Sequence, residues 1–222
     1  MNRRKIIIGD YDTSHHGPWT LASCVFQEPA YQSMLVSVPG RDGQLDLSTV
    51  LTGGEPKYGN RKLAATLECS EGTRAERETL INEMVNRLDG RRVDIILPDD
   101  PARYITGRVS VKREYNDMAH AAVTVTAVCD PWRQNLHETT ITVTATNTEQ
   151  VGVLHNTGRR VLRPDVTVKG NGAKIQLTIG EYTWDLSKGS YTLLELQLKP
   201  GNTSMTYSGK GQMVITYREA VL

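Results

Sequence analysis

A chain of 222 residues has room for one large β domain or two domains of about 100 residues each. It is 38% hydrophobic with a mean hydropathy of −0.40, and its formal charge of +1 supplies no global attraction to nucleic acid or an anionic membrane. No apolar run approaches the ~20 residues of a membrane helix, which excludes a helical span.

The start, MNRRKIIIGD, has a basic flank but only Ile6, Ile7 and Ile8 behind it, too short a core for a signal peptide. Three cysteines, Cys24, Cys69 and Cys129, are odd in number and far apart, so no disulfide framework is expected. Cys69 and Cys129 continue the apolar parity of their strands and read as small buried hydrophobes. The expected place of synthesis is a reducing cytoplasm, without export by the general secretory route.

Strands are predicted over 19–26 and 33–38, followed by PGRDG, in which Asp42-Gly43 suits a hairpin turn. Leu45, Leu47 and the Val50-Leu51 pair continue the β pattern. TGGEPKYGNRKL, with three glycines and a proline, reads as an exposed loop or hairpin tip. Leu63, Ala65, Leu67 and Cys69 alternate and form a strand with one buried face.

The strongest element follows, a helix over 73–90. Thr73 and Glu76 have the spacing of a capping box, and Leu80, Ile81, Met84, Val85 and Leu88 make an apolar stripe. Glu83 and Arg87 are four apart in the favourable order, and Gly90 supplies a left-handed stop. One amphipathic helix cannot hide its own stripe, so it must lie on a sheet or in a neighbour's groove. A strand through Val93, Ile95, Ile96 and Leu97 ends at PDDP. Segments 103–115 and 120–129 then form a hairpin joined at Asn116-Asp117, its second arm alternating strictly from Ala121 to Cys129.

Asp130-Pro131-Trp132 breaks the pattern and marks a boundary, giving domains 1–132 and 133–222. Beyond it short strands are expected at 141–143, 151–154, 166–168, 175–179, 182–186, 194–198, 205–207 and 213–217. Turn residues at that spacing suggest a sandwich or jelly roll. Gly180-Glu181 fits a two-residue turn, and GNGAK at 170–174 a tight turn between strands.

The residues that carry chemistry do not assemble into a reactive set. His15-His16 lacks the further ligands of a metal site, and Asp99-Asp100 flanks prolines in a turn, where Asp bonds backbone. No nucleophile elbow, Walker loop or dinucleotide fingerprint occurs. Arg91-Arg92 and Arg159-Arg160 are not interleaved with aromatics as in a single-strand groove. Tyr182 and Trp184 share a strand face; they make either the aromatic layer of a core or a sugar-stacking platform. The chain is therefore read as a non-enzyme without cofactor or metal. A wall hydrolase would need an acid pair or metal set that is not evident.

Two ordered series bring a family into view. PGRDGQLDLS, TGGEPKYGNRKL, the capped helix ending LDGRRVDIILPDD, YITGRVSVKREY and CDPWR form the first, and LRPDVTVKGNGAKIQLTIGEYTWDLSKGSYTLLELQLKPGNTSMTYSGKGQMVITYREAVL the second. Together they resemble the distal tail protein (Dit) of long, non-contractile-tailed bacteriophages (siphoviruses), prophage copies included, in the short form without an inserted carbohydrate-binding module. The resemblance implies a mainly β chain: an N-terminal tail-tube-like β-sandwich with one α-helix and a long hairpin, and a C-terminal galectin-like β-sandwich.

It further implies a hexameric ring at the virion tail tip, a structural hub joining tail tube to the tail-tip or baseplate apparatus. The expected partners are the tail tube protein, the tail-tip hub or tail-associated protein and the tape-measure protein. DNA would pass through the lumen without specific binding, and no membrane is engaged. Near-neutral charge suits such a channel, because a basic lining would hold phosphates. Subunit contacts are nominated at Glu55, Lys57, Tyr58, Arg61 and Lys62 of the 52–62 loop and at Arg77 and Arg87 of the helix, with the 103–129 hairpin for ring or axial stacking. The alternative function is a carbohydrate-binding module that uses Tyr182 and Trp184 as its platform for host-surface recognition.

Overall fold

The computed structural model describes residues 5–222; the basic start at Arg3 and Arg4 lies outside the described residues. The chain is mainly β, with α1 (Arg74–Leu88) its one α-helix among the described residues. It divides into two compact units, one running to Arg133 and taking in Leu222, the other Gln134–Val221.

The first unit is built on β1 (Ile7–Ile8), β2 (Tyr11–Asp12), β3 (Thr20–Phe26), β4 (Leu35–Ser37), β5 (Gln44–Asp46), β6 (Arg61–Cys69), β7 (Arg92–Ile96), β8 (Arg103–Asn116) and β9 (Ala121–Cys129). Its main sheet runs β2-β1-β7-β8-β9-β6-β3, every neighbour antiparallel. The alternation read in β6 and β9 puts Leu63, Ala65, Leu67, Cys69, Ala121, Val123, Val125, Ala127 and Cys129 into one core. Burial pushes the Cys129 thiol up to about 11, as befits a cysteine used for packing.

Helix α1 covers that core because its stripe has nowhere else to go: Ile81, Met84 and Leu88 are fully buried, and Leu80 and Val85 pack at the margin. Each fully buried side chain of this kind contributes about 1.5–3 kcal/mol. The capping box is formed in both directions: the Thr73 hydroxyl accepts from the Glu76 amide at 3.3 Å, and Glu76 Oε2 accepts from the Thr73 amide at 2.7 Å. The helix ends at Leu88, with Asp89 extended and Gly90 at φ +72°. Hairpin β8–β9 closes through 117–120, a longer turn than Asn116-Asp117; Asp117 Oδ1 accepts from the amides of Ala119 (2.8 Å) and His120 (2.7 Å).

Strands β4 and β5 pair only with each other, and the Val50-Leu51 pair departs from the β reading. It forms a 3-10 turn, Val50–Thr52, because the Thr52 amide and hydroxyl both return to Thr49 O at 3.1 Å, and Gly53 stops it at φ +66°.

The second unit holds β11 (Thr139–Ala145), β12 (Gln150–Asn156), β13 (Asp165–Ile179), β14 (Tyr182–Ser187), β15 (Gly189–Thr192) and β16 (Gly201–Tyr217), with β10 (Arg133–Asn135) and β17 (Ala220–Val221) at its ends. The strands expected at 166–168 and 175–179 are one strand, and so are those at 205–207 and 213–217. GNGAK is a bulge inside β13, not a turn between strands: the register to β16 shifts between Lys169 and Lys174.

Gly209 and Gly211 lie opposite, and a Cβ at Gly209 would stand 2.2 Å from Lys174 O, so only glycine fits there. On one side of the bulge the run is β11-β16-β13-β15, on the other β12-β16-β13-β14. Both runs feed one core containing Val166, Val168, Ile175, Leu177, Met205, Met213 and Ile215. The two-residue turn at Gly180-Glu181 is present, with positive φ only at the glycine. Segment 194–198 is not a strand: the Leu196 amide turns back to Leu193 O, and Leu198 makes an isolated bridge with Leu162.

Candidate assembly surface

From Gln27 to Asn60 no residue is buried, yet the segment is regularly folded. It leaves the sheet at the end of β3 and returns at the start of β6, an arm closed near its root by Gly59 N–H to Ala30 O (2.8 Å) and Gln32 N–H to Lys57 O (2.9 Å). Farther out β4 and β5 pair Leu35 with Asp46, Val36 with Leu45 and Ser37 with Gln44. Side chains alternate across a hairpin, so Met34, Val36, Val38, Leu45 and Leu47 share one face and Leu35, Ser37, Gln44 and Asp46 the other. On the first face Met34 and Val38 are exposed and Val36, Leu45 and Leu47 half-buried, and Leu51 beyond it is 90% exposed. The polar side holds the turn in shape: Asp46 Oδ1 accepts from the Ser48 amide at 2.9 Å, and the Ser48 hydroxyl accepts from the Met34 amide at 2.8 Å.

The nominated contact residues fall into three groups. Lys57 and Lys62 are exposed, and Glu55 is half-buried. Tyr58 is half-buried in an edge-on aromatic series, 6.1 Å from Tyr31 and 5.7 Å from Trp132 between ring centres. Arg61 and Arg77 are not at the surface; both are spent inside the fold. Arg77 donates to Gly72 O at 2.6 Å, Asp117 O at 2.8 Å and Met118 O at 3.2 Å, pinning the β8–β9 turn to α1. Arg87, also on α1, bonds Glu83 at 3.0 Å and Asp10 at 3.1 Å. The structure thus brings Tyr58 and Arg61 to the arm's root and leaves the helix pair elsewhere. The exposed apolar residues of 34–51 lie outside the nominated contact set, although apolar residues in a segment with no helix to cover them were a usable signal.

Tyr182 and Trp184 stack, with ring centres 5.9 Å apart and planes at 20°. They lie opposite Ile179 and Leu177, so they face the core side of the sheet; Trp184 packs on that core and Tyr182 is 51% exposed at its rim. An open platform would need both rings turned to solvent, and the core layer takes the tryptophan.

His15 Nδ1 sits 3.1 Å from Asp12, and Asp100 is held by Arg103 (3.3 Å) and Arg133 (2.9 Å). Among the described residues no three His, Cys, Asp or Glu side chains come together as a metal site, and no helix is long and apolar enough to cross a membrane.

No family model and no curated protein matches the sequence. Among solved structures the chain is similar to the SPP1 Dit (gp 19.1) protein, described as a paradigm of the hub adsorption apparatus in Gram-positive-infecting phages. The match has a TM-score of 0.69 at 17% identity and covers 98% of this chain and 99% of that one. At that identity the likeness establishes a shared fold.

Proposed function

We propose that this chain is a structural component of a phage tail tip, a distal tail protein whose copies join through the arm into a ring. The observation that carries this is the exposed apolar surface of the β4–β5 arm. A two-stranded hairpin is marginal alone and gains stability from a covering layer, while this hairpin pairs with no other strand among the described residues and leaves Met34, Leu35, Val38 and Leu51 exposed. A second copy supplies the layer, and repetition of one heterologous contact closes a ring. The full-length likeness to a tail hub protein supports the same reading.

In this reading the ring is hexameric and continues the tail tube. The first unit acts as the tube-like, ring-forming domain, and the second as a galectin-like sandwich. Tail tube, tail-tip hub and tape-measure proteins are its partners, and DNA passes a bore that is not basic. The chain is made in the bacterial host cytoplasm and works in the virion.

Light scattering and negative-stain images of the full chain test it. Wild-type protein gives a ring of uniform copy number, and Val36→Asp with Leu45→Asp gives monomer with an unchanged circular dichroism spectrum. A wild-type chain that stays monomeric at high concentration, with tail-tube and tail-tip partners added, overturns the reading.

A further inference from the structure

Arg61 opens β6 at the point where the arm rejoins the sheet, and its side chain is only 1% exposed. A guanidinium in such a place is costly unless its donors are used. Here they reach three segments. Nε donates to Gln27 O at 2.9 Å, Nη2 to Glu28 Oε2 at 3.1 Å and Nη1 to Pro131 O at 3.5 Å, while the planar group lies 4.0 Å over the Phe26 ring. Phe26 ends β3, Gln27 and Glu28 begin the arm, and Pro131 follows β9. One side chain therefore holds the outgoing leg, the returning leg and a neighbouring strand end in a single plane.

Its carboxylate partner Glu28 is itself 82% exposed, so screening leaves the ion pair little strength of its own. Burial pulls the guanidinium below its ordinary range, with Glu28 opposing. What the arrangement supplies is direction. A planar fork fixes the angle between its acceptors, which the single ammonium of lysine does not.

We propose that Arg61 is a positioning residue whose buried fork sets the direction in which the arm leaves the sheet, and so decides whether the arm's apolar face meets a second copy of this chain. The link to assembly rests on the function proposed above; the control of direction does not.

The test uses full-length chain, spin-labelled through non-natural amino acids at Arg41 on the arm and Asn86 on α1 and diluted with unlabelled chain. A control pair joins Asn86 to Glu68 on β6. Electron–electron distance measurements give one narrow arm–body distance for wild type. In Arg61→Lys, which keeps the charge but loses the fork, the arm–body distribution widens at least twofold, the control pair is unchanged and the ring fraction falls. A wild-type arm–body width in Arg61→Lys overturns the proposal, and a widened arm with an unchanged ring fraction overturns its link to assembly.

If the control pair also widens, the body itself has loosened. Phe26→Leu and Glu28→Gln then probe the root with the cation in place. A widened arm in either supports the proposal, and wild-type widths in both overturn it. Loss of rings in the Val36 and Leu45 variants is read separately, so failure of the function reading leaves the arm–body result intact.

Discussion

Hairpins β8–β9 and β4–β5 belong to the same unit, yet one is roofed and the other stays largely exposed. On β8–β9 the apolar side chains Val109, Val123, Val125 and Ala127 lie beneath α1, and Arg77 clamps the hairpin's turn to the helix. On β4–β5 Met34, Leu35 and Val38 stay exposed, and Val36, Leu45 and Leu47 are only half-buried. Alternation sets which way side chains point, not whether anything waits for them; the roof is a separate fact, supplied by a helix in one case and, on the function proposed above, by another copy in the other.

Truncating matched residues would break this contrast or strengthen it. Met84→Ala, beneath the roof, should lower unfolding free energy by about 2–5 kcal/mol in urea titrations. Leu35→Ala on the exposed hairpin should stay within about 0.5 kcal/mol for the monomeric chain, and equal losses at the two sites would show that the arm is covered from within. A smaller effect is expected at the roof's edge. Thr73→Ala removes one half of the capping box and should cost about 1 kcal/mol, with helix signal lost in proportion.

The smallest effect concerns two Asp-x-Ser turns, Asp12 with Ser14 in the body and Asp46 with Ser48 in the arm. Burial pushes the Asp12 carboxyl up, but hydrogen bonds from Ser14, Lys5 and His15 outweigh it and hold the group well below its ordinary 3.8. Asp46 is lowered by the Ser48 hydroxyl and amide. A depressed folded pKa means stabilisation that is complete above the ordinary carboxylate value and is lost as pH falls toward the folded one. Asp12→Asn should therefore flatten the acid limb of folding stability below about pH 4, seen in urea titrations across pH. Asp46→Asn should leave that limb as it is; a matching change there would place the arm within the cooperative fold.

Much of the architecture was legible because it rests on local periodicity. The helix, its capping box, the Glu83–Arg87 pair and the one-sided strands β6 and β9 each follow from spacing within one element. The misreadings needed information from far along the chain. Leu194, Leu196 and Leu198 alternate as a strand would, but Leu198 finds one bridge at Leu162 and no ladder. The glycines at 170–172 look like a tight turn between two strands and instead bend one strand that continues, because Gly209 and Gly211 on β16 accommodate the bulge. Arg61 and Arg77 look like surface charges, yet their acceptors lie up to 70 residues away and are largely backbone carbonyls, which sequence pattern does not reveal.

The 15-residue β13 and 17-residue β16 of the second unit each pass through both of its four-strand runs. Neither run can be peeled away while the other keeps its hydrogen bonds, because two of its strands are the same chain segments. Under tension such a unit has no seam along which to part, and it should resist stretching until it fails in a single step.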